Sequence, residues 1–293
     1  MRPCHTAQLL THTRLGGGIV IFDEKILTPK HFCRLIETHR ISCFTAVPTM
    51  FALLDAYAYL EKYDLRSLRY ICFGGGVVSL TTLKSLMAKM PATGFVQTYG
   101  QTECSPRVTA LLPEDAIKKL GSVGKPIPGV QVEVVAKDGV LASINEPGEI
   151  RVKGKNTSPG YYKRFEETAK IRKGDWLYTG DLGRYDTEGY IWLVGRNKNV
   201  IISGGLKVYP EEVEAILGTH PLVHETIVRG ESDPVLGEIP VADVVCKPGC
   251  RSEQFSQKLF VFMKARLAAY KIPRRIHLRE TLDKTATGKL RRA

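Results

Sequence analysis

From about residue 19 to residue 100 the chain alternates short apolar runs with amphipathic ones. No other feature limits its fold as strongly. Ile19-Val20-Ile21-Phe22 reads as a buried strand. Thr28-Pro29 opens a helix, with threonine as cap, proline in the first turn, and Phe32, Leu35 and Ile36 as its apolar stripe. Ser42 to Val47 is a strand that Pro48 ends, and a helix follows to about Leu60. Leu68 to Phe73 is a strand running into Gly74-Gly75-Gly76. Ser79 caps a helix to about Met90, and Phe95 to Thr98 is the next strand. Such alternation builds a parallel sheet with helices on its faces. Ligands of these sheets sit beyond the carboxyl ends of the strands. Two loops fall there, Gly74–Gly76 and Tyr99-Gly100-Gln101-Thr102-Glu103. The second offers an aromatic face, a glycine, a hydroxyl and a carboxylate, which suits a nucleotide phosphate and its metal. Gly16-Gly17-Gly18 is read as a turn, because no Gly-Lys-Ser/Thr follows it.

Beyond residue 120 the pattern shortens. Val130–Val135, Gly148–Val152, Asp181–Tyr185 and Tyr190–Val194 are short strands parted by turns such as Lys137-Asp138-Gly139, with one short helix at Glu166–Arg172. This is a β-rich, barrel-like subdomain. Past Gly195-Arg196 a compact α+β unit begins. It has a strand at Val200–Ser203 and a helix from Pro210 to Leu217, with Glu211 and Glu212 at its positive end. Strands near 223–229 and 240–246 follow, then a long helix from Ser252 to about Ala269 and a strand at Arg275–Leu278.

Composition narrows the function classes. The 293 residues are 43% hydrophobic and 25% charged, ordinary for a globular chain. A formal net charge of +12 calls for an anionic partner. The basic residues are interspersed with acidic ones and form no nucleic-acid-binding module, so nucleic acid is not expected. Seven scattered cysteines give no disulfide framework and read as free thiols of a reducing compartment. Cys246-Lys-Pro-Gly-Cys250 lacks the second pair that a zinc site needs. His220 and His224, parted by Pro221, read as surface or turn residues. No apolar run approaches the roughly 20 residues of a membrane helix. The first residues lack a signal-peptide core, so a cytoplasmic protein is expected.

Five motifs stand in order: Tyr99-Gly100-Gln101-Thr102-Glu103, Tyr178-Thr179-Gly180-Asp181, Gly195-Arg196-Asn197-Lys198, Ile201-Ile202-Ser203-Gly204-Gly205 and Thr287-Gly288-Lys289. Over residues 16–293 the chain resembles the adenylate-forming family of acyl- and aryl-CoA synthetases, peptide-synthetase adenylation domains and luciferases. The run from Ile201 to Glu214 is most similar to the CoA-ligase branch. The resemblance implies an α/β fold. Residues 1–195 would form part of a large AMP-binding domain, with a sheet over about 16–115 and a distorted barrel over about 120–195. Residues 196–293 would form a small mobile lid.

It also implies an ATP-dependent acid–thiol ligase acting on a fatty or aryl acid, with ATP, Mg²⁺ and coenzyme A. Glu103 would hold Mg²⁺, a suitable cation for a carboxylate, and Thr102 the AMP phosphate. Tyr99, Gly100, Gln101 and Gly74–Gly76 would frame the nucleotide, and segments at 47–49, 73–75 and 97–100 the acyl group. Asp181 would accept from the ribose hydroxyls and Arg196 would reach ribose or phosphate. Lys198 would be the hinge, Ser203, Gly204 and Gly205 would line the coenzyme A path, and Lys289 would bridge carboxylate and α-phosphate. Family members also carry a Ser/Thr/Gly-rich loop ending in Pro-Lys-Gly that holds the β- and γ-phosphates. This sequence has none. The expectation is therefore weak adenylation by the chain alone and a requirement for the missing half or a partner subunit. The alternative is an AMP- or acyl-binding remnant stabilised by a partner.

Overall fold

The computed structural model describes residues 10–22, 27–75, 78–136, 139–247, 253–284 and 290, with the side chains of all but Thr49 and Glu253. Two compact units divide the chain, 1–179 with 184–193, and 180–183 with 194–293.

In the first unit, β1 (Cys43–Ala46), β2 (Tyr70–Phe73) and β3 (Gly94–Tyr99) pair in parallel, Phe44 beside Ile71 and Ile71 beside Phe95. β4 (Thr109–Leu111) and β5 (Lys125–Pro126) extend the sheet antiparallel, so it is mixed. Helix α1 (Pro29–His39) precedes β1, and α2 (Pro48–Ala56) and α3 (Leu80–Lys89) connect the three strands. Thr28 caps α1 by accepting from the His31 N–H at 3.3 Å, and Arg40 ends it in the left-handed region. One face of the sheet packs Ile71, Phe73 and Phe95 against Phe32, Ile36, Phe51, Leu54, Leu83 and Leu86. Phe51 lies tilted on Phe73 with centroids 5.0 Å apart.

Three local expectations fail here. Helix α2 stops at Ala56, short of the expected Leu60, which begins a separate 3₁₀ turn. Ser79 stands at the cap of α3, but its hydroxyl pairs with Thr81 Oγ1 at 2.5 Å instead of the backbone. Residues 19–22 form no strand, and Ile21 is 84% exposed. An apolar run becomes a strand only where a neighbour completes its hydrogen bonds, and among the described residues none lies beside it.

The second sheet runs β10–β9–β7–β6, from β6 (Val130–Val135), β7 (Gly148–Gly154), β9 (Trp176–Tyr185) and β10 (Ile191–Arg196), with β8 (Arg172–Lys173) beside β9. Alternation decides its faces: Ile150 and Val152 of β7 are buried with Val132, Val134, Leu177 and Ile191. Arg151 points outward and pairs with Glu133, its register partner on β6, at 2.7 Å. β9 begins five residues before the expected Asp181, because Thr179-Gly180 reads as a turn; Gly180, at φ +71°, lies within the strand. The short helix α4 (Phe165–Ile171) precedes β8.

In the second unit β11 (Ile201–Ser203) and β12 (Leu206–Val208) form a hairpin. β13 (Val223–Asp233) and β14 (Gly237–Cys246) form a longer one, and β15 (Arg275–Arg279) joins β14 in parallel. α5 (Pro210–Leu217) and α6 (Glu253–Lys264) cover one face, with Val213, Leu217, Phe255 and Leu259 against Val228, Ala242 and Val244. α6 stops at Lys264, short of the expected Ala269. His224 is exposed on β13, while His220 lies in the bend after α5, half-buried and edge-on to Phe255 and Phe262. Burial, then Arg266 and Lys258, lowers its pKa.

The opposite face carries an ion network across three strands. Asp243 accepts from Arg279 Nε at 2.7 Å and Arg229 Nε at 3.1 Å, while Glu231 pairs with Arg229 and Arg275, each at 2.8 Å. Burial would raise the Asp243 pKa, but the two arginines outweigh it and hold the carboxyl below its usual range. A depressed carboxylate stabilises the fold above its unfolded pKa, and that contribution fades as pH falls through the folded value. Asp243→Asn should cost about 3 kcal/mol at pH 7. Urea midpoints should also show a smaller loss for this variant than for the parent between neutral pH and pH 3; equal acid losses would refute the network's role.

Candidate nucleotide site

The site grows from the reversal that ends β3. A Cβ on Gly100 would lie 2.3 Å from the Ser105 carbonyl oxygen and 2.6 Å from the Pro106 carbonyl carbon, so only glycine lets the two backbone segments touch. The chain turns through a 3₁₀ turn at Thr102–Cys104 and returns as β4, just before which the Val108 N–H donates to the Tyr99 carbonyl at 2.7 Å. Cys104 is fully buried against Val132, Val134, Ile150 and Val152, in the core of the second sheet, the half-barrel formed by β6–β10. That anchor turns its neighbours outward: Thr102 is exposed and Glu103 half-exposed. Tyr99 is only 7% exposed and packs in the same core, so it offers little ring face to a ligand. Gln101 is half-buried and extended, directly before the turn.

Gly74 lies at the end of β2, at the same edge. A Cβ there would meet the Thr98 carbonyl oxygen at 2.5 Å, so close strand approach accounts for this glycine. Gly75, at φ +74°, turns the chain away. Gly76 lies outside the described residues.

A loop from much later in the chain completes the corner. Tyr161 donates its hydroxyl to Glu103 Oε1 at 2.7 Å. The Ser158 N–H donates to the Glu103 carbonyl at 2.7 Å, and Asn156 Nδ2 to the Cys104 carbonyl at 2.7 Å. Holding the carboxylate pushes the Tyr161 pKa up to about 12, with burial adding to the effect. Glu103 Oε2 has no hydrogen-bond partner among the described residues. Sequence reasoning passed over Asn156, Ser158 and Tyr161; no local pattern links them to residues more than fifty positions earlier.

The other expected residues belong to the second unit. Asp181 is buried in β9, and its Oδ1 accepts from Arg196 Nε at 2.9 Å. The structure thus brings these two together. Lys198 is exposed in the 3₁₀ turn Asn197–Asn199. Gly204 and Gly205 are the two central residues of the β11–β12 hairpin, at φ +55° and +79°. Two successive positive φ values mark a type I′ turn, so the hairpin alone accounts for both. Ser203 beside them is buried. Lys289 lies outside the described residues.

A glycine-framed turn presenting a hydroxyl and a carboxylate can hold a phosphate and a divalent cation. The donor set fits Mg²⁺, which binds through one or two carboxylates plus substrate phosphates. Among the described residues no cluster of three metal-ligating side chains occurs. A groove of about 630 Å³ at the β6–β7 edge, lined by Gln131, Lys153, Lys155 and Asp175 among others, contains none of the motif residues. No helix among the described residues is long and apolar enough to cross a membrane.

Known proteins similar to this chain include CoA ligases and their solved structures. The chain is 36% identical over 288 residues to a long-chain-fatty-acid–CoA ligase of Bacillus subtilis (strain 168), covering 98% of this chain and 50% of the relative. It is 37% identical over 277 residues to a 2-succinylbenzoate–CoA ligase of Geobacillus sp. (strain WCH70), covering 94% of this chain and 55% of the relative. Among solved structures, o-succinylbenzoate CoA synthetase from Bacillus subtilis in complex with the acyl-adenylate intermediate superposes with a TM-score of 0.88 at 32% identity, covering 99% of this chain and 57% of that one. The same synthetase with ATP and magnesium ion gives 0.87 at 32% identity, covering 99% and 58%. The chain spans about half the length of the curated relatives it matches. The AMP-binding enzyme family matches residues 4–162, and the AMP-binding enzyme C-terminal domain matches residues 212–289. The fold and both matches agree: this chain belongs to the AMP-binding enzyme family.

Proposed function

We propose that the chain is part of an ATP-dependent acid–thiol ligase that activates a fatty or aryl carboxylate as its acyl-adenylate and passes the acyl group to coenzyme A. The observation that carries this is the Thr102–Glu103 turn, fixed at the carboxyl end of β3 in a chain whose relatives include CoA ligases. In the first step a substrate carboxylate oxygen attacks the α-phosphorus of ATP, and pyrophosphate leaves. In the second the coenzyme A thiolate attacks the acyl carbon, and AMP leaves. Each step sets anions against each other, so fixed donors and cations are needed where charge develops.

Thr102 would donate to the AMP phosphate. Gly74 to Gly76, Gly100 and Gln101 would admit the nucleotide closely, with the largely buried Tyr99 as a wall behind it. Asp181 would accept from the ribose hydroxyls, and Arg196, already its partner, would turn to ribose or phosphate. Glu103 would hold Mg²⁺, which when bound offsets phosphate charge. Lys289 would bridge carboxylate and α-phosphate, Ser203, Gly204 and Gly205 would line the thiol path, and Lys198 would be the hinge between residues 1–195 and a lid formed by 196–293. A cytoplasmic setting suits the free thiols. A second reading is an AMP- or acyl-binding remnant that needs a partner subunit; the partial span, about half the length of the curated relatives, is what raises it.

Two measurements test this. Isothermal titration with AMP should give saturable binding that Asp181→Ala weakens roughly tenfold, since two hydrogen bonds to a charged acceptor are lost; no AMP binding by the folded chain would sink the proposal. Pyrophosphate exchange into ATP should run roughly a hundredfold slower in the 293-residue chain than in a full-length relative, as expected when fixed phosphate donors are missing. Equal rates would exclude the remnant reading, and AMP binding with no measurable exchange would favour it.

A further inference from the structure

We propose that Tyr161 is a positioning residue: its hydroxyl commits one oxygen of the Glu103 carboxylate to the protein and thereby presents the other to a divalent cation. This rests on reading Glu103 as the metal ligand.

The argument is the construction of the loop that carries Tyr161. It holds the Glu103 segment at three points: Asn156 Nδ2 on the Cys104 carbonyl, the Ser158 N–H on the Glu103 carbonyl, and the Tyr161 hydroxyl on Oε1, each at 2.7 Å. Backbone and side chain of one glutamate are thus fixed by one strap. The strap is itself pinned. Ser158 Oγ donates to the Gly160 carbonyl at 3.0 Å and accepts from the Gly160 N–H at 3.1 Å. Arg172 Nη1 donates to the Ser158 carbonyl at 2.5 Å. The Tyr161 N–H donates to Thr168 Oγ1 at 2.9 Å. A Cβ at Gly160 would lie 2.3 Å from Thr168 Cγ2, so the loop can lie on α4 only with glycine there.

A half-exposed glutamate samples several rotamers, and a cation site built on one loses affinity to that freedom. The donor chosen to restrain it is a phenol. An arginine or lysine in its place would restrain the carboxylate equally but would neutralise it and compete with the cation. A neutral donor on Oε1 leaves the charge intact and Oε2 open, the arrangement a single-carboxylate Mg²⁺ site needs.

The test is Mn²⁺ binding to the full 293-residue chain with saturating AMP, followed by the electron paramagnetic resonance signal of free Mn²⁺. Glu103→Gln should weaken Mn²⁺ binding by more than about tenfold. Tyr161→Phe should weaken it about fivefold while AMP affinity without metal and the thermal midpoint stay close to those of the parent. If Glu103→Gln binds Mn²⁺ as the parent does, or the parent binds none, the metal reading fails and this proposal with it. If Glu103→Gln loses the metal but Tyr161→Phe stays within about twofold of the parent, only the positioning role is overturned. A parallel fall in metal binding, AMP affinity and thermal midpoint would also overturn it, since that marks a merely structural tie. Should the phenylalanine variant not fold, Tyr161→Gln and Tyr161→Met decide, being alike in size but not in donor: tighter Mn²⁺ binding by the glutamine variant supports the role, and equal binding rejects it.

Discussion

The contact between Gly100 and the Ser105–Pro106 backbone is the constraint on which the candidate site depends. Because no side chain fits between them, the chain can reverse within a few residues of the end of β3 and return as β4 in the same sheet. The reversal sinks Cys104 into the core of the half-barrel and leaves Thr102 and Glu103 facing outward. A hydroxyl and a carboxylate displayed on a turn tied at both ends are held by packing rather than by their own preferences, which is what a binding corner requires. Gly74 extends the same logic one strand away, where β2 closes against Thr98.

Much of this was legible in the residues. Proline and threonine at 28–29, proline at 48 and proline at 210 open helices where those types belong, and the strands over 43–46, 70–73 and 94–99 lie where short apolar runs end at glycine or proline. The motif order pointed to the family, and the matching segments agree with it. The failures share a cause. Residues 19–22 have strand composition without a strand beside them, and Gly180 has turn composition inside a strand, because pairing partners and not local preference settle both. Ser79 has the right identity for a cap, yet Thr81 holds its hydroxyl. Tyr161 and Asn156 carried no signal at all, since their meaning lies in contacts 58 and 52 residues away.

The second unit uses charge differently. Its helices cover one face of the β13–β14–β15 sheet with apolar side chains, while the other face places Asp243 between two arginines. Buried charge of this kind specifies register more than it adds stability: Asp243 meets Arg229 and Arg279 only if three strands align. The pairing of Asp181 with Arg196 has a different character, because Arg196 stays half-exposed and can exchange its partner. The glycine pair at 204–205 is required by its hairpin whether or not a thiol substrate passes it.

The strap from residues 156–161 to Glu103 has a consequence for how this protein acquires its site. Its hydrogen bonds close loops of more than fifty residues, and everything between, β4 to β7, must be in place first. Contacts of such sequence separation form late, after loop-closure entropy has been met by shorter-range structure. The turn at Glu103 can therefore fold early in outline while its carboxylate stays unfixed until the half-barrel has assembled. During refolding, ligand-binding competence should lag behind secondary structure, and an amide-exchange profile should place protection of the Ser158 N–H with that of β6 and β7, not with that of β3.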